Sequence, residues 1–421
     1  MRFQRLYGVA LLIAAEIAAL VAGAAVFFLT AVVTASVPVF AGAGSAAVAA
    51  MSLLIGRPAF RRLGLPRSLV PYVVVNTLAV ATLVAFTVFR PFPVPAPGAV
   101  PTGIAYWDLP TGSRIAYVKV PASGTPRPTP VIFLHGGPGT PGEGVPEAGK
   151  ELAAAGFDVY AYDQVGAGRS TRLADLTGYT VARHVADLDA IRETIGAQKI
   201  ILVGRSWGGT LSAAYLAAHP GHVAKAVLTS PGAIWEPAYP NGPGGPWDDL
   251  PAERKARADE LTDDPRMLTQ ALLLQLNPAA AHALVPDAEA DARMRALLLT
   301  AKDATGCRDA APAPVHDNPP GFYTNQLTSA DASTVPDPRP RLRGVRVPTL
   351  IMRGQCDYLR WEVTDDYRRT LPNSTLVYIP GAGHSIANGR PDLYRDLLMA
   401  FLRDRPLPIP AYTGTTDPAK N

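Results

Sequence analysis

The sequence predicts an α/β fold: a mostly parallel sheet covered by helices on both faces, with an inserted helical lid, preceded by an N-terminal segment of three transmembrane helices. Three observations predict it. Beyond residue 130, short continuous apolar runs alternate with helical patterns, as buried parallel strands joined by crossover helices require. One run, Ile200-Ile201-Leu202-Val203, passes into Gly204-Arg205-Ser206-Trp207-Gly208, a strand-turn-helix of the G-x-S-x-G kind. Long apolar stretches almost free of charge are confined to the first 89 residues.

Those stretches come first in the chain. Residues 8–34 hold only one charge, Glu16, while 35–56 and 68–89 hold none. Each approaches or exceeds the roughly 20 apolar residues needed to cross a bilayer. A cleaved signal peptide is the alternative for the first, but the run is too long and two more follow. A carboxylate at mid-bilayer costs about 2.5–3.5 kcal/mol on insertion scales, so Glu16 is expected to face a neighbouring helix or be protonated, with Asn76 as a helper. Arg2 and Arg5 precede the first run, and Arg57, Arg61, Arg62 and Arg67 fill the second connection. Both regions therefore read as cytoplasmic, which leaves everything after Phe89 extracytoplasmic. Residues 1–90 carry seven arginines against one glutamate, so of the chain's net +4 the remainder holds −2. The sequence pI of about 9.0 thus belongs to the anchor and gives no reason to invoke nucleic acid.

At 421 residues the chain is long enough for further domains. The proline-rich stretch from Arg90 to Pro101 cannot pair or continue a helix and reads as an extended spacer. Alternating runs at 104–109 and 114–120, joined by Pro110-Thr111-Gly112, suggest a hairpin. Buried strands follow at 131–134 and 157–162, then a helix at 181–195, the strand into Ser206, a helix to about 219 and a strand at 224–229. The rhythm then stops. Helical patterns at 251–261, 265–276 and 289–302 read as the lid; strands resume at 347–352 and 375–379, and a helix at 393–403 closes the fold. The boundaries are 1–89 for the anchor, 90–102 for the linker, 103–231 and 346–405 for the two parts of the core, 232–345 for the lid and 406–421 for a tail.

A serine hydroxyl needs a base in contact, itself oriented by an acid. Ser206 is the expected nucleophile; Gly204 and Gly208 let the turn be sharp, and the backbone N–H of Trp207 faces any oxyanion that forms. Asp357 and His384 each lie just past the end of a strand, where active sites of open α/β sheets sit, in the order serine, acid, histidine. Asp365 and Asp366 are rival acids but fall in an apparent helix; the other histidines lack the strand-end setting.

His135-Gly136-Gly137-Pro138-Gly139, Asp163-Gln164-Val165-Gly166-Ala167-Gly168-Arg169-Ser170, Gly204 to Leu211 and Gly381-Ala382-Gly383-His384 together resemble the prolyl aminopeptidase (proline iminopeptidase) branch of the α/β-hydrolase fold. The resemblance covers about residues 103–231 and 346–405. It implies an acyl-enzyme peptidase acting on a free N-terminus, often proline, with the N–H groups of Gly137 and Trp207 as oxyanion hole and Gly136 as a substitute for Gly137. It also implies acidic residues near the lid to hold the substrate ammonium, for which Glu236 is the candidate. The chain departs from the family pattern at Val165, where Arg is usual, at Arg205, where Gly is common, and at Gln355, where Arg often precedes the acid.

Two other readings remain open: a hydrolase of the same fold acting on esters, lactones or amides, and a membrane-anchored domain that only binds a partner. Transport would rest on Glu16 and Asn76 alone. No metal or cofactor is expected, and the expected partners are a peptide or small-molecule substrate and the lipid bilayer. The only two cysteines, Cys307 and Cys356, would lie in an oxidising compartment, which favours a bridge over two free thiols.

Overall fold

Eight strands make one sheet: β1 (Ile104–Asp108), β2 (Arg114–Val120), β3 (Val131–Leu134), β4 (Val159–Tyr162), β5 (Ile200–Arg205), β6 (Val223–Thr229), β7 (Thr349–Cys356) and β8 (Ser374–Gly383). Their spatial order is β1-β2-β4-β3-β5-β6-β7-β8. The predicted hairpin pairs antiparallel, β2 pairs antiparallel with β4, and every other neighbour is parallel. The computed structural model describes residues 2–308, 310 and 316–420, so residues 309 and 311–315 of the predicted lid lie outside the described residues. It divides into two units: Met1–Pro93 with Asp259–Glu289, and Val94–Ala258 with Ala290–Asn421.

The sheet belongs to the second unit. Its central strands are buried on both faces because helices cover both: Val131, Val203, Val227, Leu350 and Val377 pack in one cluster with Leu397 and Leu398 of the closing helix Pro391–Leu402. Burial of each such side chain stabilises by about 1.5–3 kcal/mol. Four elements differ from the sequence expectation. β7 and β8 run on to Cys356 and Gly383, past the apolar stretches that announced them, because mutual pairing continues the ladder through polar and glycine residues. The helix Glu147–Ala154 has an apolar face, Ala148, Gly149, Leu152 and Ala153, but is only 8 residues long, whereas Phe322–Ala332 carries no strong apolar period and is held instead by hydrogen bonds to loops of the sheet.

The first unit contains three helices long and apolar enough to cross a membrane, Phe3–Val33, Val37–Leu63 and Pro66–Thr87. Glycine lets the first two approach closely: a Cβ on Gly23 would come within 2.5 Å of Val48 Cγ2, and one on Gly44 within 3.0 Å of the Gly23 carbonyl. Tyr72 donates a hydrogen bond to Glu16 (2.5 Å), whereas Asn76 donates to Ser52 (2.9 Å). The carboxylate is thus satisfied by a neighbouring helix, through a tyrosine and not through Asn76. The helix Pro265–Leu276 and the short helix Pro278–Leu284, both from the stretch expected to be lid, belong to this unit.

Candidate active site

Register brings the expected residues together in two pairs. β3 pairs with β5 so that Leu134 faces Gly204, and two residues further on Gly136 and Ser206 stand side by side; a Cβ on Gly136 would lie 3.1 Å from Ser206 Cβ. β7 pairs with β8 through Cys356 and Gly383, after a register shift in which Pro380, Gly381 and Ala382 of β8 oppose Gln355, so the residues that follow the two strands are Asp357 and His384. Their hydrogen bond, His384 Nδ1 to Asp357 Oδ1, is 2.8 Å.

Ser206 has φ 53° and ψ −120°, a backbone conformation that side chains other than glycine rarely adopt. Its neighbours make the turn feasible. A Cβ on Gly204 would collide with the Gly208 carbonyl, and one on Gly208 with the Leu134 carbonyl. The helix Trp207–Ala218 begins at the next residue, so its N-terminus lies beside the hydroxyl. Among the described residues, neither the N–H of Gly137 nor that of Trp207 donates a backbone hydrogen bond.

Side chains that sequence reasoning missed hold this arrangement. Arg353, buried on β7, donates to the carbonyls of Asp357 (3.3 Å) and Leu359 (2.7 Å), and its guanidinium lies 3.4 Å from Asp357 Oδ2. Burial works to raise the Asp357 pKa, but the His384 imidazole and the Arg353 guanidinium outweigh it and hold the carboxyl below its ordinary value. The ring of Tyr358 stacks on His384 with centroids 4.1 Å apart. The signal for both residues was position alone, four before the acid and one after it.

The loop carrying Gly136 and Gly137 is braced by His135. The Gln164 N–H donates to His135 Nε2 (2.9 Å), so the ring proton must be on Nδ1, which donates to the Gly136 carbonyl (2.9 Å). Burial lowers the His135 pKa to about 4, keeping that tautomer neutral. Gln164 also accepts from the Trp207 indole (2.9 Å). Above the loop, Asn325 Nδ2 donates to the Pro138 carbonyl and Gly321 N to the Gly139 carbonyl, so the helix Phe322–Ala332 sits over this glycine-rich loop. Glu236 is half-buried in a short turn without an ion-pair partner among the described residues, and burial raises its pKa.

Cys307 and Cys356 are bridged, with Cα atoms 5.1 Å apart. The bridge ties the segment before the undescribed stretch to the end of β7, and the Thr305 carbonyl accepts from Ser385 N beside the histidine. Only Asp189, His219 and His222 cluster with metal-ligand spacing among the described residues. There the Asp189 carboxylate already accepts from Arg192, Tyr215 and His222, which makes it a hydrogen-bond network.

A strand-to-helix nucleophile turn, an acid-histidine pair on two later strands and a glycine-rich loop beside them define a fold family. The chain belongs to the α/β-hydrolase fold family, whose model matches residues 129–387. Among curated relatives it is 36% identical to the proline iminopeptidase of Heyndrickxia coagulans over 129 residues, 30% of this chain and 43% of that protein. It is 40% identical to the proline iminopeptidase of Neisseria gonorrhoeae over 116 residues, 28% of this chain and 37% of that one. The chain thus spans less than half the length of these relatives. A solved structure of proline iminopeptidase from Mycobacterium smegmatis is similar at 21% identity with a TM-score of 0.46, covering 71% of this chain and 98% of that chain.

Proposed function

We propose that the chain is a membrane-anchored serine hydrolase that works through an acyl-enzyme, most consistent with an aminopeptidase of the proline iminopeptidase kind. The observations that support this reading are a serine at φ 53° on a strand-to-helix turn beside Gly136, and a buried Asp357–His384 hydrogen bond at the ends of two later strands. Because Nδ1 of His384 is bound to Asp357, Nε2 is the nitrogen left for the serine. Ser206 Oγ attacks the scissile carbonyl while Nε2 takes its proton, and the oxyanion is received by the N–H groups of Gly137 and Trp207, with Gly136 adjoining. The imidazolium returns the proton to the leaving amine as the C–N bond breaks. Water then attacks the acyl-serine by the same route, releasing the acid and restoring the hydroxyl. Glu236, an unpaired carboxylate four residues past the Gly232 that donates to the Ser206 carbonyl, suits a substrate ammonium.

The anchor would hold this unit outside the cell membrane, as the arginine asymmetry of the three apolar helices supports. The test uses the detergent-solubilised protein, a fluorophosphonate probe and paired substrates. Ser206→Ala should lose all labelling and nearly all turnover. Substrates with a free amine should be cleaved at least about tenfold faster than their N-acetylated forms, since an unpaired buried carboxylate costs several kcal/mol. Labelling that survives in Ser206→Ala would move the nucleophile, and equal rates on both substrates would favour the esterase or amidase reading.

A further inference from the structure

The helix Pro265–Leu276 has a face that none of the described residues covers. Leu268, Leu272 and Leu276, each four residues from the next and so along one stripe, are 51%, 55% and 48% exposed. Between them the exposed positions are Ala271 and Gln275. The helix's one charged residue, Arg266, is buried. A helix facing water would carry charges on that side. The opposite face is packed, with Leu273, Leu274 and Gln270 buried.

Both ends of this helix are fixed to the ends of apolar helices in the same unit. Arg266, in its first turn, donates to the carbonyl of Val88 (2.8 Å), at the C-terminal end of the third apolar helix. A buried ion pair with Glu289 (2.6 Å) and a bond to the Leu284 carbonyl hold that guanidinium in place. Asn277, at the other end, donates to the carbonyls of Ala31 (2.8 Å) and Val32 (3.4 Å), in the last turn of the first apolar helix. The first and third of three successive spans run in the same direction, so their C-terminal ends emerge on one side of a membrane. The two anchor residues are eleven apart, roughly 16 Å along a helix axis. A helix tied at its two ends to two spans on one side must lie along the membrane surface.

We infer that Pro265–Leu276 is an interfacial helix whose Leu268, Leu272 and Leu276 stripe is buried in the acyl-headgroup boundary of the outer leaflet. The inference rests on the reading of the three apolar helices as membrane spans. Lipid is the occupant because the surface is continuous with those helices: Leu29 and Val33, in the turn that Asn277 caps, are 68% and 81% exposed and apolar. The segment expected from sequence to move as a lid is therefore, over this helix, a membrane-bound element.

The test uses the full chain in lipid nanodiscs. Both native cysteines are bridged, so one introduced cysteine carries one fluorophore. Reporters at Leu272→Cys and Leu268→Cys should be quenched about twofold or more by lipids bearing a nitroxide high on the acyl chain, and should resist aqueous iodide, whereas an exposed Lys150→Cys reporter shows the reverse. Ile17→Cys, exposed at the middle of the first helix, reports on the spans themselves through a nitroxide deep in the chain. If Ile17→Cys is quenched and both leucine reporters respond to iodide, the interfacial helix is overturned while the spans stand. Shielding of the leucine reporters from both quenchers would assign the face to a second copy and also overturn it. Failure of Ile17→Cys to quench would remove the span reading and this inference with it.

Discussion

At Asp357 the carboxylate does two things, accepting from His384 Nδ1 at 2.8 Å and from the Leu359 N–H at 3.1 Å. Asp357→Asn would keep the shape but offer an amide that can donate toward Nδ1, favouring the tautomer that puts the ring proton on Nε2, where the base must be free. The expected outcome is a loss of about three to four orders of magnitude in kcat with the fold intact, checked by steady-state kinetics alongside circular dichroism. Tyr358→Phe retains the ring stacked on His384 and removes only the hydroxyl. A hydroxyl that assists the reaction through one neutral hydrogen bond of about 1 kcal/mol would make kcat/KM fall roughly fivefold in this variant, and an unchanged value would assign Tyr358 to packing alone. The strand-end positions of Ser206, Asp357 and His384 were legible because each follows a short apolar run. Arg353 and Tyr358 were not, since a buried arginine within a strand and a tyrosine in a loop carry no pattern until the register is known.

The helix Val181–Thr194 shows what an element can conceal. It was legible from its period and from the Thr180 cap, whose hydroxyl accepts from Arg183 N. Its His184, one of the histidines without a strand-end setting, is 2% exposed with Nε2 3.2 Å from the Thr328 hydroxyl of the helix Phe322–Ala332. Burial lowers its pKa to about 3. Between that value and the ordinary 6.5 only the unfolded chain binds the proton, so stability is full above about 6.5 and falls as the pH falls toward 3. From pH 7 to pH 5 this histidine should remove about 2 kcal/mol. Urea unfolding followed by tryptophan fluorescence at the two pH values should show a pH dependence smaller by that amount in His184→Gln; equal pH dependence would refute the assignment. All five tryptophans lie beyond residue 100, so the signal reports on the sheet-bearing unit. The helix that buries His184 escaped the sequence because tertiary hydrogen bonds, not an apolar stripe, hold it. The Cys307–Cys356 bridge, by contrast, was readable from the count of two; closing a loop of 49 residues contributes about 4 kcal/mol by constraining the unfolded chain.

For the whole molecule, charge is sorted by region: the first 90 residues carry an excess of six positive charges and the rest an excess of two negative. Protease added to intact cells should release the sheet-bearing unit by cutting near the proline-rich stretch 90–101, where residues 91–101 form neither helix nor strand. Protection in intact cells with cleavage only after lysis would reverse the topology. The sequence divided the chain at its changes of composition, which located the apolar helices and the sheet. It could not show that Asp259–Glu289 groups with the apolar helices. That grouping is made by Asn277 and Arg266 reaching backbone carbonyls more than 170 residues earlier in the chain, and a side chain's choice of a distant carbonyl leaves no trace in local periodicity.

The bond between Tyr72 and Glu16 joins residues 56 apart. Read as a membrane segment built during synthesis, the chain exposes Glu16 to lipid or translocon long before its partner exists: at about 5–20 residues per second, Tyr72 is made some 3–11 seconds later. In that interval the first span is the least comfortable part of the nascent chain. Arrival of the third span ends the wait, so biogenesis carries a built-in checkpoint: an anchor truncated before residue 72 leaves an orphaned acid in the membrane, a feature by which quality control can tell unfinished chains from finished ones.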